Sequence, residues 1–308
     1  MRKFQRRTAQ KAGEAPCYIG CLRRSAFKLV SRGDLAWLEC SRLARLPWLV
    51  HAFSTRRGGV SPPPAAGLNL GMIASDLRAN VEQNRKTLFR DLKAEGFSLA
   101  SLRQVHSSSV FQAARGSRGE IVYSPPGNPS LGDSTSHPPQ GDALLTDQAG
   151  MLLSVRTADC MPILLVNPRR HAIAAVHAGW RGALRGVLEK AVEEMRGAFG
   201  SDPKEMLAAI GPCIRACCYE VGEEVVATFN ERFPNTKKFF RRKTRATKAH
   251  LDLVAVARRQ LQAAGLRPSS ILAAPFCTAC RTDLFFSHRK EGSGTGRMMA
   301  VMGIRPHA

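Results

Sequence analysis

The stretch GMLLSVRTADCMPILLVNPRRHAIAAVHAGWRGALRG, residues 150–186, decides the fold. It contains three short segments rich in Leu, Val, Ile and Ala: residues 151–155, 161–166 and 172–176. Apolar runs of this length predict buried strands rather than helices. A helical spacing of apolar residues follows from Leu184. Cys160 and His177 therefore lie at strand ends, before a strand-to-helix turn, where α/β proteins tend to place their chemistry.

The rest of the chain mixes strand and helix patterns without strict alternation. Helices are predicted over residues 76–92, 219–229 and 251–264. This mixture favours an α+β fold or a mixed-sheet α/β sandwich. We expect a basic, poorly structured extension or targeting segment over 1–33 and a single domain over 34–308. Within that domain, 115–141 is rich in Gly, Ser and Pro and predicts a mobile surface loop.

The composition describes a globular chain with an uneven charge. The 308 residues are 44% hydrophobic, enough for one large domain, and the net charge is +22. Residues 1–50 contribute +8 and residues 231–250 contribute +7. Basic runs can bind nucleic acid, but neither run contains a nucleic-acid-binding motif. We favour a solvated loop and tail, with a basic binding protein acting through 1–33 and 235–248 as the alternative.

Cysteine usage and hydropathy bear on the compartment. The nine cysteines are odd in number, and no apolar signal-peptide core precedes them. No segment approaches the ~20 apolar residues of a membrane-spanning helix. We therefore expect a soluble protein of a reducing, cytoplasmic compartment. The Arg-rich, acid-poor N-terminus keeps organellar import open as an alternative.

Three residues suggest a metal site. His106, Cys160 and His177 each stand beside a short apolar segment. Imidazole and thiolate are ligands that zinc prefers, and three of them leave a fourth position open to water, whose pKa then falls towards ~7. They lie far apart in sequence, so spacing alone does not establish that they converge.

Two other interpretations of the same residues stay open. Cys160 and His177 could form a nucleophile–base pair, with Asp159 or His106 orienting the base. Alternatively, a buried cysteine and a core histidine simply fill space, which is the common fate of both residue types.

A series of motifs, taken together, is specific. In chain order they are STRRGGVS at 54–61, NLG at 69–71, QVHS at 104–107, ALLTD at 143–147, TADC at 157–160, AAVHAGWRG at 174–182, AAIGPCI at 208–214, CYEVG at 218–222, CTAC at 277–280 and FFSHR at 285–289. This series resembles the laccase-domain family, also called the multicopper polyphenol oxidase or bacterial purine nucleoside phosphorylase family. The resemblance covers residues 48–306 and leaves out 1–33.

The resemblance implies an α/β/β/α sandwich with zinc held by His106, Cys160 and His177. It also implies an enzyme whose partners are a purine nucleoside and inorganic phosphate. Such an enzyme phosphorolyses adenosine, inosine, guanosine and methylthioadenosine and deaminates adenosine. We expect Cys160 and His177 to act in catalysis as well as in metal binding.

Phosphorolysis needs a cationic phosphate site, and deamination needs a proton shuttle. Arg56 and Arg289, with the neighbouring His288, are the candidates for phosphate and substrate binding, because guanidinium binds phosphate bidentately. The alternative for each arginine is simple surface solvation. Asp159, beside Cys160, is either the proton shuttle or a structural acceptor in a turn.

Four further cysteines are candidates for the pocket wall: Cys213, Cys218, Cys277 and Cys280. The CxxC spacing of the last two is too weak a signal to support a second metal site. Copper chemistry is not expected, because a multicopper oxidase needs about ten histidines arranged as His-x-His pairs. This chain has eight histidines and no such pair.

Overall fold

The computed structural model describes residues 25–125, 138–241 and 248–306. Within these ranges the strands are β1 (Phe27–Arg32), β2 (Leu35–Cys40), β3 (Leu49–Ser54), β4 (Ser98–Ala100), β5 (Val110–Arg115), β6 (Ile121–Ser124), β7 (Ala143–Thr146), β8 (Met151–Thr157), β9 (Met161–Asn167), β10 (Ala172–Ala178), β11 (Leu207–Ile210), β12 (Glu220–Val221), β13 (Phe240–Arg241), β14 (Ala249–Leu251), β15 (Ile271–Ala273) and β16 (Met298–Ile304). The helices are α1 (Arg78–Asp91), α2 (Trp180–Leu184), α3 (Val187–Phe199), α4 (Glu223–Arg232), α5 (Leu253–Ala263) and α6 (His288–Glu291).

Two large mixed sheets form the centre of the fold. The six-stranded sheet has the order β1-β2-β3-β16-β8-β4, and the seven-stranded sheet has the order β15-β11-β9-β10-β7-β5-β6. Most neighbours are antiparallel, whereas β4 with β8, β5 with β7 and β11 with β15 are parallel. A small third sheet joins β12, β14 and β13. The prediction of a mixed-sheet α+β domain is confirmed.

Burial on both faces explains the apolar runs of the central strands. Every residue of β9 is buried. Its Leu164 and Val166 pack into the core between the two sheets, whereas Ile163 and Leu165 pack against the helices on the outer face. A strand covered on both faces reads as a continuous apolar run rather than an alternating one.

Helices cover the outer face of each large sheet. Leu88 of α1 packs with Val50 and Val301 of the six-stranded sheet. Residues of α2, α3, α4 and α5 share one buried cluster with the outer face of the seven-stranded sheet. The layers are therefore α/β/β/α, as predicted. No described helix has the length and apolar character that crossing a membrane requires.

Strand direction gathers several loops at one edge of the seven-stranded sheet. The end of β10 lies beside the start of β9, with Ala178 opposite Met161, and the end of β11 approaches the same start, with Ile210 opposite Ile163. The starts of β5 and β7 lie at this edge too, because Ala143 pairs with both Val110 and Val176. Loops that precede β5, β7 and β9 or follow β10, β11 and β15 consequently meet there.

The structure corrects several predicted boundaries. Phe27–Arg32 forms β1 and pairs with β2, so the folded part begins before residue 34. Phe27 is buried against Phe53 between the sheets, which is what orders this end of the predicted extension. Residues 121–124 form β6 inside the predicted loop, and the predicted helix from 219 begins only at 223. Residues 1–24, 126–137, 242–247 and 307–308 lie outside the described part, and with them the corresponding parts of the predicted extension, loop and basic run.

Candidate metal centre and active-site cavity

His106, Cys160 and His177 converge at the shared sheet edge. His106 lies in the loop before β5, Cys160 stands directly before β9, and His177 is near the end of β10. Their donor atoms all lie within 4.8 Å of one another. The His106 Nε2 is 3.7 Å from the Cys160 Sγ, and the two imidazole rings meet edge to face at 4.9 Å. We call these three residues the mixed cluster.

Asp142, which the sequence analysis missed, orients the mixed cluster. Its Oδ1 lies 2.8 Å from the His177 Nδ1, and both side chains are buried. The same carboxylate accepts hydrogen bonds from the backbone N–H groups of His106 and Ser107, at 3.1 and 2.5 Å. The Asp142 carboxylate thus orients the imidazole ring of His177 and fixes the loop that carries His106. A carboxylate that orients a metal-binding histidine in this way is common in metal sites. The only feature of the sequence that points to Asp142 is its position, as an acidic residue directly before a buried strand.

The charges of the cluster are coupled. Burial alone would raise the pKa of Cys160, but the charge of His177 and a hydrogen bond with His106 outweigh it and lower that pKa to about 6. Burial opposes the charged form of His177 too, yet Cys160 and Asp142 raise its pKa to about 9. At neutral pH Cys160 is therefore a thiolate, the form that binds metals and attacks electrophiles.

The Asp142 side chain is ionised at neutral pH. Burial would raise its pKa, but hydrogen bonds from His177 and Ser107 lower it to about 2. A permanent negative charge at this position keeps the proton of His177 on Nδ1. The Nε2 of His177 is then the nitrogen left for a metal or for the Cys160 sulfur.

Gly179 makes room for the cluster. A Cβ at this position would lie 2.8 Å from the His106 Cδ2 and 3.0 Å from the Cys160 Sγ. The backbone angle, φ −77°, is open to any residue, so the glycine is required by the close approach and not by conformation. Two imidazoles and a thiolate are a donor set that fits an ion such as zinc with one position left open.

A cavity of about 770 Å³ opens onto the mixed cluster. Among the described residues, Asp159 is the one acidic side chain of its wall, which also carries five arginines: Arg103, Arg156, Arg181, Arg289 and Arg297. A larger cavity of about 1170 Å³ adjoins it and shares Arg103 and Arg156, but it contains none of the three donor residues. The mixed cluster therefore opens into the smaller cavity, whose wall is strongly cationic.

Two of the three predicted phosphate- and substrate-binding residues lie at the cavity, and the third does not. Arg289 and His288 line the cavity. Arg56 does not: its Nη1 lies 2.6 Å from the Glu291 Oε1, and its guanidinium stacks on Phe286 at 4.5 Å. Its charge is compensated inside the protein, so the structure counts against Arg56 as a phosphate ligand. Arg156 and Arg297, which sequence reasoning passed over, take its place in the wall.

The carboxylate of Asp159 accepts three hydrogen bonds from within the protein. Its Oδ1 accepts hydrogen bonds from the hydroxyls of Thr278 and Ser287, at 2.6 and 2.8 Å, and its Oδ2 accepts one from the Arg289 N–H at 2.7 Å. The residue has a φ of +85° and is largely buried. With three donors in place, the carboxylate fixes the loops around Cys160, and this geometry favours the structural interpretation over the proton shuttle.

The predicted role of the further cysteines in the pocket wall is wrong. None of Cys213, Cys218, Cys277 and Cys280 lines the described cavity. Cys213 is buried in the core between the seven-stranded sheet and its helices. Tyr219 and Ile214, from the same loop, form the wall instead.

The chain is similar to proteins whose function has been named. It is 34% identical over 279 residues to the purine nucleoside phosphorylase YlmD of Geobacillus stearothermophilus, covering 91% of this chain and 97% of that relative. It is 37% identical to a purine nucleoside phosphorylase of Deinococcus radiodurans, over 85% of this chain and 92% of the relative. It is 36% identical to the adenosine deaminase RL5 of an unknown prokaryotic organism, over 80% and 91%.

The fold agrees with these relationships. The crystal structure of YlmD from Geobacillus stearothermophilus superimposes with a TM-score of 0.79, at 34% identity, over 92% of this chain and all of that one. The family described as multi-copper polyphenol oxidoreductase laccase matches residues 50–305. That match contains the whole seven-stranded sheet and the mixed cluster, whereas β1 and β2 of the six-stranded sheet precede it. The chain therefore belongs to the multi-copper polyphenol oxidoreductase laccase family of enzymes.

Proposed function

We propose that this protein is a zinc-dependent purine nucleoside phosphorylase that also deaminates adenosine. Its substrates would be adenosine, inosine, guanosine and methylthioadenosine, with inorganic phosphate as the second substrate. The observation that carries the proposal is the mixed cluster opening into a cavity lined by five arginines. The names of the related enzymes support the same chemistry.

The arginines provide the phosphate site. Burial and the charge of Arg297 lower the pKa of Arg156. Two half-buried cations that repel each other are stabilised by an anion placed between them. Arg289 is held by the carbonyl of Glu220 at 2.9 Å and lies over the Tyr219 ring at 5.2 Å. These contacts fix its guanidinium at the cavity wall, where it can contact the same anion.

Two aromatic side chains and one aliphatic side chain provide the purine site. Trp180, Tyr219 and Ile214 line the cavity beside the mixed cluster. Aromatic faces stack on purine rings, and such stacking tolerates different substituents at C6. A pocket of this kind accepts adenine, hypoxanthine and guanine alike.

In phosphorolysis, an oxygen of phosphate forms a bond to the ribose C1′ while the C1′–N9 bond breaks, and the departing base takes up a proton. The arginines hold the phosphate and neutralise its charge as the ribose becomes cationic. In deamination, water adds at C6 and ammonia leaves. Zinc held by His106, Cys160 and His177 would supply Lewis acidity and lower the pKa of a bound water. Asp142 keeps His177 in the required tautomer throughout.

Phosphate-dependent release of base from inosine and adenosine tests the proposal, with metal analysis of the same sample. We expect release to require phosphate and to fall when the zinc is removed. Arg297→Met should raise KM for phosphate about tenfold, since one charge-assisted hydrogen bond contributes about 1.5–3 kcal/mol. Arg56→Met, the matched control outside the cavity, should leave that KM unchanged. Zinc binding without turnover would contradict the proposed substrates.

A second candidate is a metal-independent thiol hydrolase or amidase. The specific observation in its favour is a thiolate at Cys160 beside a cationic His177 that Asp142 orients. It differs from the primary proposal in its response to reagents. A thiol hydrolase keeps its activity in chelators and loses it on alkylation of Cys160, whereas the phosphorylase loses activity in chelators.

A further inference from the structure

A second group of sulfur atoms lies near the mixed cluster. Four cysteines compose it: Cys217, Cys218, Cys277 and Cys280. Their Sγ atoms all lie within 4.8 Å of one another. The Cys280 Sγ is 3.5 Å from that of Cys217 and 3.3 Å from that of Cys218. We call these residues the four-cysteine cluster.

The fold explains why the four sulfurs meet. Strands β11 and β15 are parallel neighbours, so the loops that follow them leave the sheet at the same edge. An isolated backbone β-bridge between Cys213 and Cys277 extends the strand pairing beyond β11 and β15. In addition, the Thr278 N–H donates to the Cys213 carbonyl at 3.1 Å. The two loops are thereby held side by side, with Cys217 and Cys218 on one and the CxxC pair on the other.

The spacing of the sulfurs fits a tetrahedral metal. A Zn–S bond of about 2.3 Å places the four sulfurs of a tetrahedral site about 3.8 Å apart. The S···S distances of 3.3 and 3.5 Å and the upper limit of 4.8 Å on the others bracket that value. Four sulfur ligands select zinc over magnesium or calcium, which prefer oxygen.

The surroundings favour bound thiolate. The Arg215 N–H donates to the Cys277 Sγ at 3.4 Å, the kind of backbone contact that supports a metal-bound sulfur. Cys277 is buried, whereas Cys217 and Cys280 face the surface and offer a route of entry for the ion.

We propose that the four-cysteine cluster is a structural zinc site. It has four protein ligands and so lacks the open position of a catalytic centre. Metal binding displaces the thiol protons, forms four Zn–S bonds and involves no oxidation. The ion cross-links the two loops after β11 and β15. This site is separate from the mixed cluster and does not rest on the proposed nucleoside chemistry.

Such a cross-link would stabilise the wall of the active-site cavity. Thr278 stands between two of the ligands, and its hydroxyl donates to Asp159, the neighbour of Cys160. On the other loop, the Ile214 N–H donates to the Asp159 carbonyl at 2.9 Å. Tyr219 follows Cys218 directly and lines the cavity. The second metal would thus position residues that surround the first.

Metal content of the full chain tests the proposal. The protein is loaded with excess Zn²⁺ under reducing conditions and then freed of unbound metal. We expect about two zinc ions per chain, one for each cluster. Cys217→Ser with Cys280→Ser should remove one equivalent and lower Tm by several degrees. Cys213→Ala, a cysteine of the same loop outside the cluster, should keep both equivalents.

A measurement on the unaltered protein guards against a variant that fails to fold. Alkylation with iodoacetamide, mapped by peptide mass, should modify Cys217 and Cys280 in the metal-free protein at least tenfold faster than in the zinc-loaded one. With Co²⁺ as the probe, the chain should show an intense sulfur-to-metal absorption that the double variant loses. One zinc per chain in both proteins, equal alkylation with and without zinc, or a Cys218–Cys280 disulfide would each overturn the proposal.

Discussion

The mixed cluster and the four-cysteine cluster occupy the same sheet edge and differ in their ligand number and surroundings. The mixed cluster has three donors, opens into a cationic cavity and is oriented by a buried carboxylate. The four-cysteine cluster has four donors, lies outside the cavity wall and joins two loops. The difference shows how one sheet edge can serve chemistry and stability separately, because an open coordination position is needed only for the former.

The largest effect is expected from removing a donor of the mixed cluster. His177→Ala should abolish turnover, by about a thousandfold or more, and remove one zinc equivalent while the four-cysteine cluster keeps its own. The measurement is base release together with metal content. Full activity in this variant would contradict the assignment of the mixed cluster as the active site. Loss of both zinc equivalents would show that the two clusters bind zinc cooperatively.

Replacing Asp142, whose carboxylate is hydrogen-bonded to His177, should have the next largest effect. Asp142→Asn keeps the shape but loses the charge that orients His177, so zinc affinity of the mixed cluster should fall about 10- to 100-fold. Competition with a chelator of known affinity measures this. Asp159→Asn is the comparison: if Asp159 is structural, its variant should lose stability and keep zinc affinity. The reverse pattern would restore Asp159 as a functional group.

Space at the mixed cluster can be tested through a glycine. Gly179→Ala introduces a methyl group that meets His106 and Cys160, so the donors must separate and zinc affinity should fall on the order of tenfold. Gly197→Ala in α3 is the matched control, since nothing lies within 4 Å of the added carbon. It should stabilise the helix by roughly 0.5–1 kcal/mol and leave metal binding unchanged. Unchanged affinity in Gly179→Ala would mean that the cluster is looser than its geometry indicates.

The pH dependence of thiol reactivity should distinguish Cys160 of the mixed cluster from Cys213, which lies outside both clusters. The thiolate is the reactive form, so in metal-free protein the alkylation rate of Cys160 should rise about tenfold between pH 5 and pH 7 and then level off, as its pKa of about 6 requires. Cys213, whose pKa burial raises to about 12, should not react over that range. A Cys160 profile that rises only above pH 8 would show that His177 does not stabilise the thiolate.

Local pattern was enough to predict the central elements, whereas the α/β/β/α layering was implied by the family resemblance. The continuous apolar run of β9 predicted a buried strand, and the apolar spacing after Leu184 predicted α3. The boundary at residue 34 was wrong because β1 is a short edge strand. Its order comes from pairing with β2 and from the contact of Phe27 with Phe53, neither of which its own composition reveals.

The sequence by itself determined which chemistry was available: imidazole, thiolate and guanidinium beside buried strands, in motifs specific enough to indicate the family. Only the tertiary structure decided which of these groups meet. His106 and Cys160 are 54 residues apart, and the pairing of distant strands brings them to within 3.7 Å. The same long-range pairing excludes Arg56 from the cavity, places Asp142 behind His177 and assembles four cysteines from two loops. Side-chain chemistry is a local property, whereas proximity depends on pairing between distant strands.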